Sequence, residues 1–366
     1  MVALFQLAAT ALLSLSSPTI PTDTSSGTTT AQYTNLLNWL NTTFPASYIN
    51  PSISLAPTTS GGGTGGHGAF ATSPLSKDDL IFRIPREACI TSKDVWNDPD
   101  CGKAFQAIIE KSGPGGFTVC LAGFLAKEYL AQQQTSDGGG KASRFGPYLD
   151  TLPWKRGWNG QEHILFWPDD EIKDVLEGSL CFRESRDLRD EVRTARKLLN
   201  AIVGPTVLKS RLSEAQREKE DTPLIPFLPW TKPPPQPVTE PVVGLGKAVT
   251  GAFVVLLTRA FDDGADEEIG VDAVDRLVPV LDMLNHDNNP TITHKIDPND
   301  GSVEVRARRD VESGEELFNR YREEEEMNMP YHRFFSRFGF VPGLEEDASS
   351  LLADKSSIFF AKRSEV

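Results

Sequence analysis

The chain has only four cysteines, Cys89, Cys101, Cys120 and Cys181, and no two are spaced as a CxxC pair. That argues against a zinc cluster built on paired cysteines and leaves buried free thiols as the expectation. Basic residues are outnumbered, 37 Lys and Arg against 51 Asp and Glu, for a net charge of −14. No basic patch is present to neutralise phosphates, so a nucleic-acid partner is not expected. An acidic protein instead draws in basic partners. No segment after residue 20 approaches the roughly 20 apolar residues that cross a bilayer, so no membrane span is expected in the mature chain. Basic residues are missing altogether before Lys77. The apolar opening MVALFQLAATALLSLSSPTIP has the length of a signal-peptide core but no positive charge in front of it, and an Arg-rich transit peptide is disfavoured for the same reason. Residues 1–30 read as a disordered leader or a signal segment, and an intracellular location stays open between cytoplasm, nucleus and plastid.

At 366 residues, 39% of them hydrophobic, the chain is long enough for a packed core plus a large insertion. Tyr33 to Phe44 has helical spacing at Leu36, Leu37, Trp39 and Leu40. The tract from Ser60 to Gly68 is a flexible linker by composition alone, and lacks the Gly-Lys-Ser/Thr of a phosphate loop. Ala69 to Thr72 and Leu80 to Pro85 read as strands around a turn. From Trp96 to about Pro241 the periodicity is helical, at Phe105 to Glu110, Val119 to Gln133 and Leu188 to Val203, and Thr222 to Pro241 is a proline-rich extended connector. Val242 to Phe261 returns to helix, with Arg259 interrupting its apolar face as a snorkelling or a functional arginine.

The most informative stretch runs from Arg276 to Tyr321. An apolar run, Leu277 to Leu284, meets the polar pair Asn285-His286, and then two alternating segments flank Asp297-Pro-Asn-Asp-Gly301 as a β-hairpin. Polar groups that interrupt an apolar run need a partner or a purpose. Asn285-His286 alone reads as a capped turn. It also resembles the Asn-His-Asp signature of metallophosphoesterases, with Asp282, His286, Asp287 and His294 as candidate ligands, but Leu284 stands where that signature needs glycine and its companion blocks are absent.

Taken together, Asp282-Met-Leu-Asn-His286, the hairpin, Gly314-Glu-Glu-Leu-Phe318, Tyr321 and Phe338-Gly-Phe340 resemble the C-terminal half of a SET domain, more narrowly that of protein lysine methyltransferases of the Rubisco large-subunit methyltransferase type. Gly66-His-Gly68, Ala71 and Ile84-Pro85 are similar to the N-terminal strands of that family, Pro147-Tyr-Leu149 to a block of its insertion, and Thr258-Arg-Ala-Phe261 to its Ser-Arg-Ala-Phe block. The resemblance implies an α+β fold, a mainly β SET domain of short strands with a large helical insertion. Its parts would be 31–95 and 242–343 for the SET domain, 96–241 for the insertion, and 344–366 where relatives carry a helical substrate-binding domain.

The resemblance also implies S-adenosylmethionine as cofactor and methyl transfer to a lysine of a protein. A non-catalytic SET-like module and a histidine-directed methyltransferase are the alternatives. Tyr321 would be the catalytic hydroxyl, and Gly65, Gly66, His67, Arg259, Asn285 and His286 would hold the cofactor, with Asp282 supporting that loop. Phe338 would wall the lysine channel, and no metal ion is implied. Relatives have Tyr-Gly where this chain has Tyr321-Arg322 followed by Glu323 to Glu326, and Phe338 replaces a common tyrosine.

Overall fold

The computed structural model of the protein describes residues 26–58, 66–136, 142–154, 162–211, 244–267, 269–321 and 330–339. Helix α1 (Ser26–Thr43) places Leu36 and Leu40 one turn apart on one face, both fully buried. Strands β1 (Tyr48–Ile49), β2 (Ile53–Thr58), β3 (Gly66–Ala71) and β4 (Leu80–Ile84) follow. Gly66-His-Gly68, a flexible linker by composition alone, is extended, and pairs antiparallel with β2 through Thr58 opposite Gly66 and Ala56 opposite Gly68.

The helical part comprises α2 (Ser92–Trp96), α3 (Gly102–Ser136), α4 (Gly146–Leu149), α5 (Asp169–Leu176), α6 (Leu180–Arg211) and α7 (Leu245–Arg259). Helix α3 breaks at Gly113, whose φ of 56° and ψ of −138° suit glycine, just before Pro114, which has no N–H to continue the ladder. That break separates the two helical segments read from the sequence. Acidic residues Asp169, Asp170 and Glu171 occupy the first turn of α5, where they complement the helix dipole. Along α6, buried Cys181, Ser185, Val192, Ala195, Leu199 and Val203 recur at helical spacing, and the charged residues take the other face. Helix α3 packs against both α6 and α7.

The chain then returns to short strands: β5 (Phe261–Asp262), β6 (Asp275–Arg276), β7 (Asn285–His286), β8 (Ile292–Ile296), β9 (Val303–Ala307) and β10 (Glu316–Asn319), with helix α8 (Tyr331–Phe338) beyond them. They form two four-stranded sheets, ordered β1-β4-β9-β8 and β2-β3-β10-β7, and a two-stranded ribbon β5-β6. The hairpin read between Thr291 and Arg308 is β8-β9, in register from Ile292 opposite Ala307 to Ile296 opposite Val303. One apolar core runs from the sheets (Phe82, Ile84, Val305, Leu317) into α3 and α7 (Phe117, Leu125, Val249, Val255), so the insertion and the strands share an interior.

All four cysteines are free and buried. Among the described residues no helix is long and apolar enough to cross a membrane. The Thr222 to Pro241 connector lies outside the described residues.

Candidate active site

Strand β10 joins the two halves of the site. It pairs antiparallel with β3 (Glu316 opposite Phe70) and parallel with β7 (Phe318 opposite Asn285, Asn319 opposite His286), so three short strands distant in sequence are laid side by side. The Asn285 amide donates to Glu316 Oε1 at 2.6 Å and, more weakly, to the His67 carbonyl at 3.5 Å. Thr58 Oγ1 donates to the other Glu316 oxygen at 2.7 Å. Glu316 and Asn285 press so closely on β3 that a Cβ at Gly68 would lie 2.3 Å from Glu316 Oε1. Beside this junction the His67 ring lies 4.3 Å from that of Tyr33 on α1. Burial lowers the His67 pKa, and its Nε2 is buried with no hydrogen-bond partner.

Arg259, the last residue of α7, turns inward rather than snorkelling: its side chain is 19% exposed, and Nη1 donates to the Asp282 carbonyl at 2.5 Å and lies 3.9 Å from Asp282 Oδ2. Asp282 sits in a 3-10 turn, Leu281–Met283, entered through Val280 at φ 71°, a left-handed conformation that strains a β-branched residue. The Tyr148 hydroxyl of α4 donates to Asp282 Oδ2 at 2.9 Å. Asp282 Oδ1 is buried with no partner. Burial pushes the Asp282 pKa up to about 6, against the opposing pull of Arg259 and the Tyr148 hydrogen bond. The Tyr148 hydroxyl is pushed well above its ordinary value, first by burial and then by Asp282.

On the other side, the Tyr321 backbone N–H donates to His286 Nδ1 at 3.1 Å, and the Tyr321 hydroxyl donates to the Leu284 carbonyl at 2.9 Å. Rings crowd here: His286 to Tyr321 at 5.2 Å, Tyr321 to Phe338 at 5.3 Å, Phe334 to Phe338 at 4.6 Å and His286 to Phe334 at 5.8 Å. Asn285 and His286, expected to act together, thus send their side chains to different neighbours. Burial raises the Tyr321 pKa further above its already high value, so the hydroxyl keeps its proton.

Helix α8 carries Phe334 and Phe338, and its other face is fixed to α6 by one carboxylate. Glu184 Oε1 is 3.2 Å from His332 Nε2 and 3.5 Å from Arg333 Nε, and Ser336 Oγ donates to Glu184 Oε2 at 3.2 Å.

The description "SET domain" matches residues 66–322, well over half of the 366-residue chain. The chain belongs to the SET-domain family. Its strand junction at Asn285, Glu316 and Gly68 and its Tyr321 all lie within that match. Among solved structures, the SET fold aligns with the SET domain of LSMT bound to lysine and AdoHcy (TM-score 0.56, 15% identity, 85% of this chain and 57% of that one). It also aligns with Rubisco LSMT bound to AdoMet (TM-score 0.55, 15% identity, 90% of this chain and 65% of that one). A third, Rubisco LSMT bound to sinefungin and monomethyllysine, aligns with TM-score 0.54 at 14% identity over 91% of this chain and 64% of that one. The SET-domain chain thus spans about three fifths of the length of these structures, and at such identity they bear on the fold alone. No curated protein matches it in sequence.

Of the residues singled out in the SET-domain sequence, His67 and Asn285 meet along the β3-β10-β7 junction, and Gly66 begins β3 opposite Thr58. Arg259 and Asp282 meet each other, and His286, Tyr321 and Phe338 share the aromatic group. Gly65, Arg322, Glu323 to Glu326 and Phe340 lie outside the described residues. Sequence reasoning missed three neighbours of the site. Glu316 stood inside the quoted Gly314-Glu-Glu-Leu-Phe318 block, where the second glutamate interrupts a strand pattern. Tyr148 stood inside Pro147-Tyr-Leu149. Tyr33 shares a helical stripe with Leu36 and Leu40. The candidate metal ligands disperse: Asp282 turns to Tyr148 and Arg259, and His294 lies 5.4 Å from the Phe261 ring. Among the described residues no three His, Cys, Asp or Glu side chains converge to hold a metal ion. An open groove lined by Lys173, Asp174, Glu177 and Gly178 shares no residue with this cluster.

Proposed function

We propose that the protein is an S-adenosylmethionine-dependent methyltransferase whose acceptor is a lysine side chain of another protein. The observation that carries this reading is the meeting of Arg259-Asp282, the Gly66–Gly68 strand with Asn285, and the Tyr321 hydroxyl with its aromatic wall. These are three groups widely separated in sequence, with the chemistry that cofactor and acceptor each require. The residues fit the cofactor. Arg259 uses one guanidinium nitrogen on Asp282 and makes no other hydrogen bond among the described residues, so N–H groups remain for a carboxylate. Asp282 Oδ1 and His67 Nε2 are buried without partners, and the absence of a side chain at Gly68 lets Glu316 and Asn285 close on β3, which fixes the Asn285 amide beside the His67 carbonyl. Arg259 would hold the amino-acid end, and the backbone of Gly66 to Gly68 with Asn285 would hold the rest. When bound, S-adenosylmethionine supplies an activated methyl on a sulfonium.

The chain's own residues have the remaining tasks of aligning the acceptor, stripping it of water and keeping it neutral. Phe334 and Phe338 supply apolar walls, which disfavour a charged ammonium. The Tyr321 proton is committed to the Leu284 carbonyl, so the phenolic oxygen presents lone pairs that accept from an amine N–H and orient its nitrogen. A net charge of −14 favours a basic polypeptide as acceptor.

The test is labelled-methyl transfer into a host lysate, followed by hydrolysis of the labelled band. Methyllysine is expected. Methylhistidine would move the acceptor to imidazole, and cofactor binding with no labelled protein would replace the enzyme by a non-catalytic module.

A further inference from the structure

Tyr33 stands at the site although no motif includes it. It lies on the stripe of α1 that also carries Leu36 and Leu40, both fully buried, so its side chain is held against the body of the protein. Helix α1 packs against α4, the short helix whose Tyr148 donates to Asp282. The Tyr33 ring is set on His67 at 4.3 Å and 35°, and the His67 carbonyl is the one that meets the Asn285 amide. Tyr33 is half-buried, and its hydroxyl makes no hydrogen bond among the described residues, so it is free to donate to a ligand. Burial raises its pKa, with Arg259 pulling the other way and Asp282 adding to the rise, so the hydroxyl stays protonated within the field of both groups.

The polar atoms left over at this place therefore form a particular set. The donors are the Tyr33 hydroxyl and the unused N–H groups of Arg259. The carboxylate acceptor is the partnerless Asp282 Oδ1, and His67 Nε2, also without a partner, lies on the ring behind the phenol. A zwitterionic amino-acid group, with one carboxylate and one ammonium, complements that set, whereas a neutral or purely cationic group would leave two donors facing nothing.

We infer that Tyr33 closes the cofactor site from the α1 side and that its hydroxyl donates to the carboxylate at the amino-acid end of the cofactor, next to Arg259. This rests on the proposed function, which it deepens by assigning a binding residue from the N-terminal helix. The His67 ring backs the phenol and sets its direction, so ring and hydroxyl have separable roles.

Calorimetry with two probes tests it. S-adenosylhomocysteine carries the amino-acid end, and 5′-methylthioadenosine has the same adenosine and sulfur without it. Tyr33→Phe should weaken S-adenosylhomocysteine binding by about tenfold or more, as expected for a lost hydrogen bond to a charged group. It should leave 5′-methylthioadenosine binding within about twofold, which also shows that the variant is folded. Unchanged binding of S-adenosylhomocysteine by Tyr33→Phe, or an equal loss for both probes, would overturn the assignment while the wild type still binds. A wild type that binds neither probe would remove the cofactor reading and the Tyr33 assignment with it.

Discussion

Two residues carry the sharpest consequences. Tyr321 donates its proton to Leu284, so Tyr321→Phe removes one hydroxyl while the ring keeps its contacts with His286 and Phe338. If the oxygen orients the acceptor amine, the rate in a labelled-methyl assay should fall by about a hundredfold or more, roughly 3 kcal/mol of transition-state stabilisation, with S-adenosylhomocysteine affinity nearly unchanged. Equal rates would take Tyr321 out of the mechanism. Gly68 is constrained differently, because a Cβ there would lie 2.3 Å from Glu316 Oε1 and 3.2 Å from Asn285 Nδ2. Gly68→Ala must push both side chains away and is expected to cost about 1–3 kcal/mol of stability as overpacking, with cofactor affinity falling too. A thermal melt and a titration of the same sample read the two losses, and an unchanged melt would mean that β3 has room to move.

Element by element, the parts legible in the sequence were those whose pattern is local. The β8-β9 hairpin was legible because alternation and a Gly-containing loop specify it within one short window. Helices α1, α6 and α7 were legible from their apolar stripes. Strand β7 was not, since two residues have no periodicity and Asn285-His286 becomes a strand only because β10 is there to pair with it. The extended Gly66–Gly68 was legible only through the family resemblance, because glycine has little strand propensity of its own and pairing with β2 imposes the conformation. The inward turn of Arg259 depends on Asp282, 23 residues away, and no reading of α7 alone shows it. Helix α8 shows how an element is placed by long-range contacts. Glu184 receives His332, Arg333 and Ser336, and because Arg333 is exposed and Glu184 only partly buried, these contacts together are worth about 1 kcal/mol. Glu184→Ala should therefore speed hydrogen exchange of the α8 amides by about fivefold, with little change in α7. Unaltered exchange over 331–338 would show that the apolar face alone holds α8.

For the molecule as a whole, acid stability follows from two buried groups of opposite sign. His163 accepts from the Leu165 N–H at Nδ1, 3.2 Å away, so its proton sits on Nε2, which faces the Arg337 carbonyl at 3.3 Å. Burial pulls its pKa down to about 4, so the unfolded chain takes up a proton first and stability is lost as pH falls from about 6.5 to 4. Asp282 is pushed up to about 6 by burial, so the folded state binds the proton more tightly and stability is gained as pH falls from about 6 to 4. The two effects are comparable, about 3 kcal/mol each, and should largely cancel in the wild type over that window. Asp282→Asn removes the gain and should make unfolding clearly more acid-sensitive between pH 6 and 4, whereas an unchanged pH profile would mean that burial does not raise the Asp282 pKa. The central claim is that Gly66–Gly68, Asn285, Arg259 and Asp282 form one cofactor site behind Tyr321, and a crystal structure with S-adenosylhomocysteine tests it most directly. The account predicts the ligand's carboxylate at Arg259, its adenosine end along Gly66–Gly68 and its sulfur facing the Tyr321 hydroxyl. Ligand density away from these residues, as in the groove at Lys173 and Glu177, would contradict it.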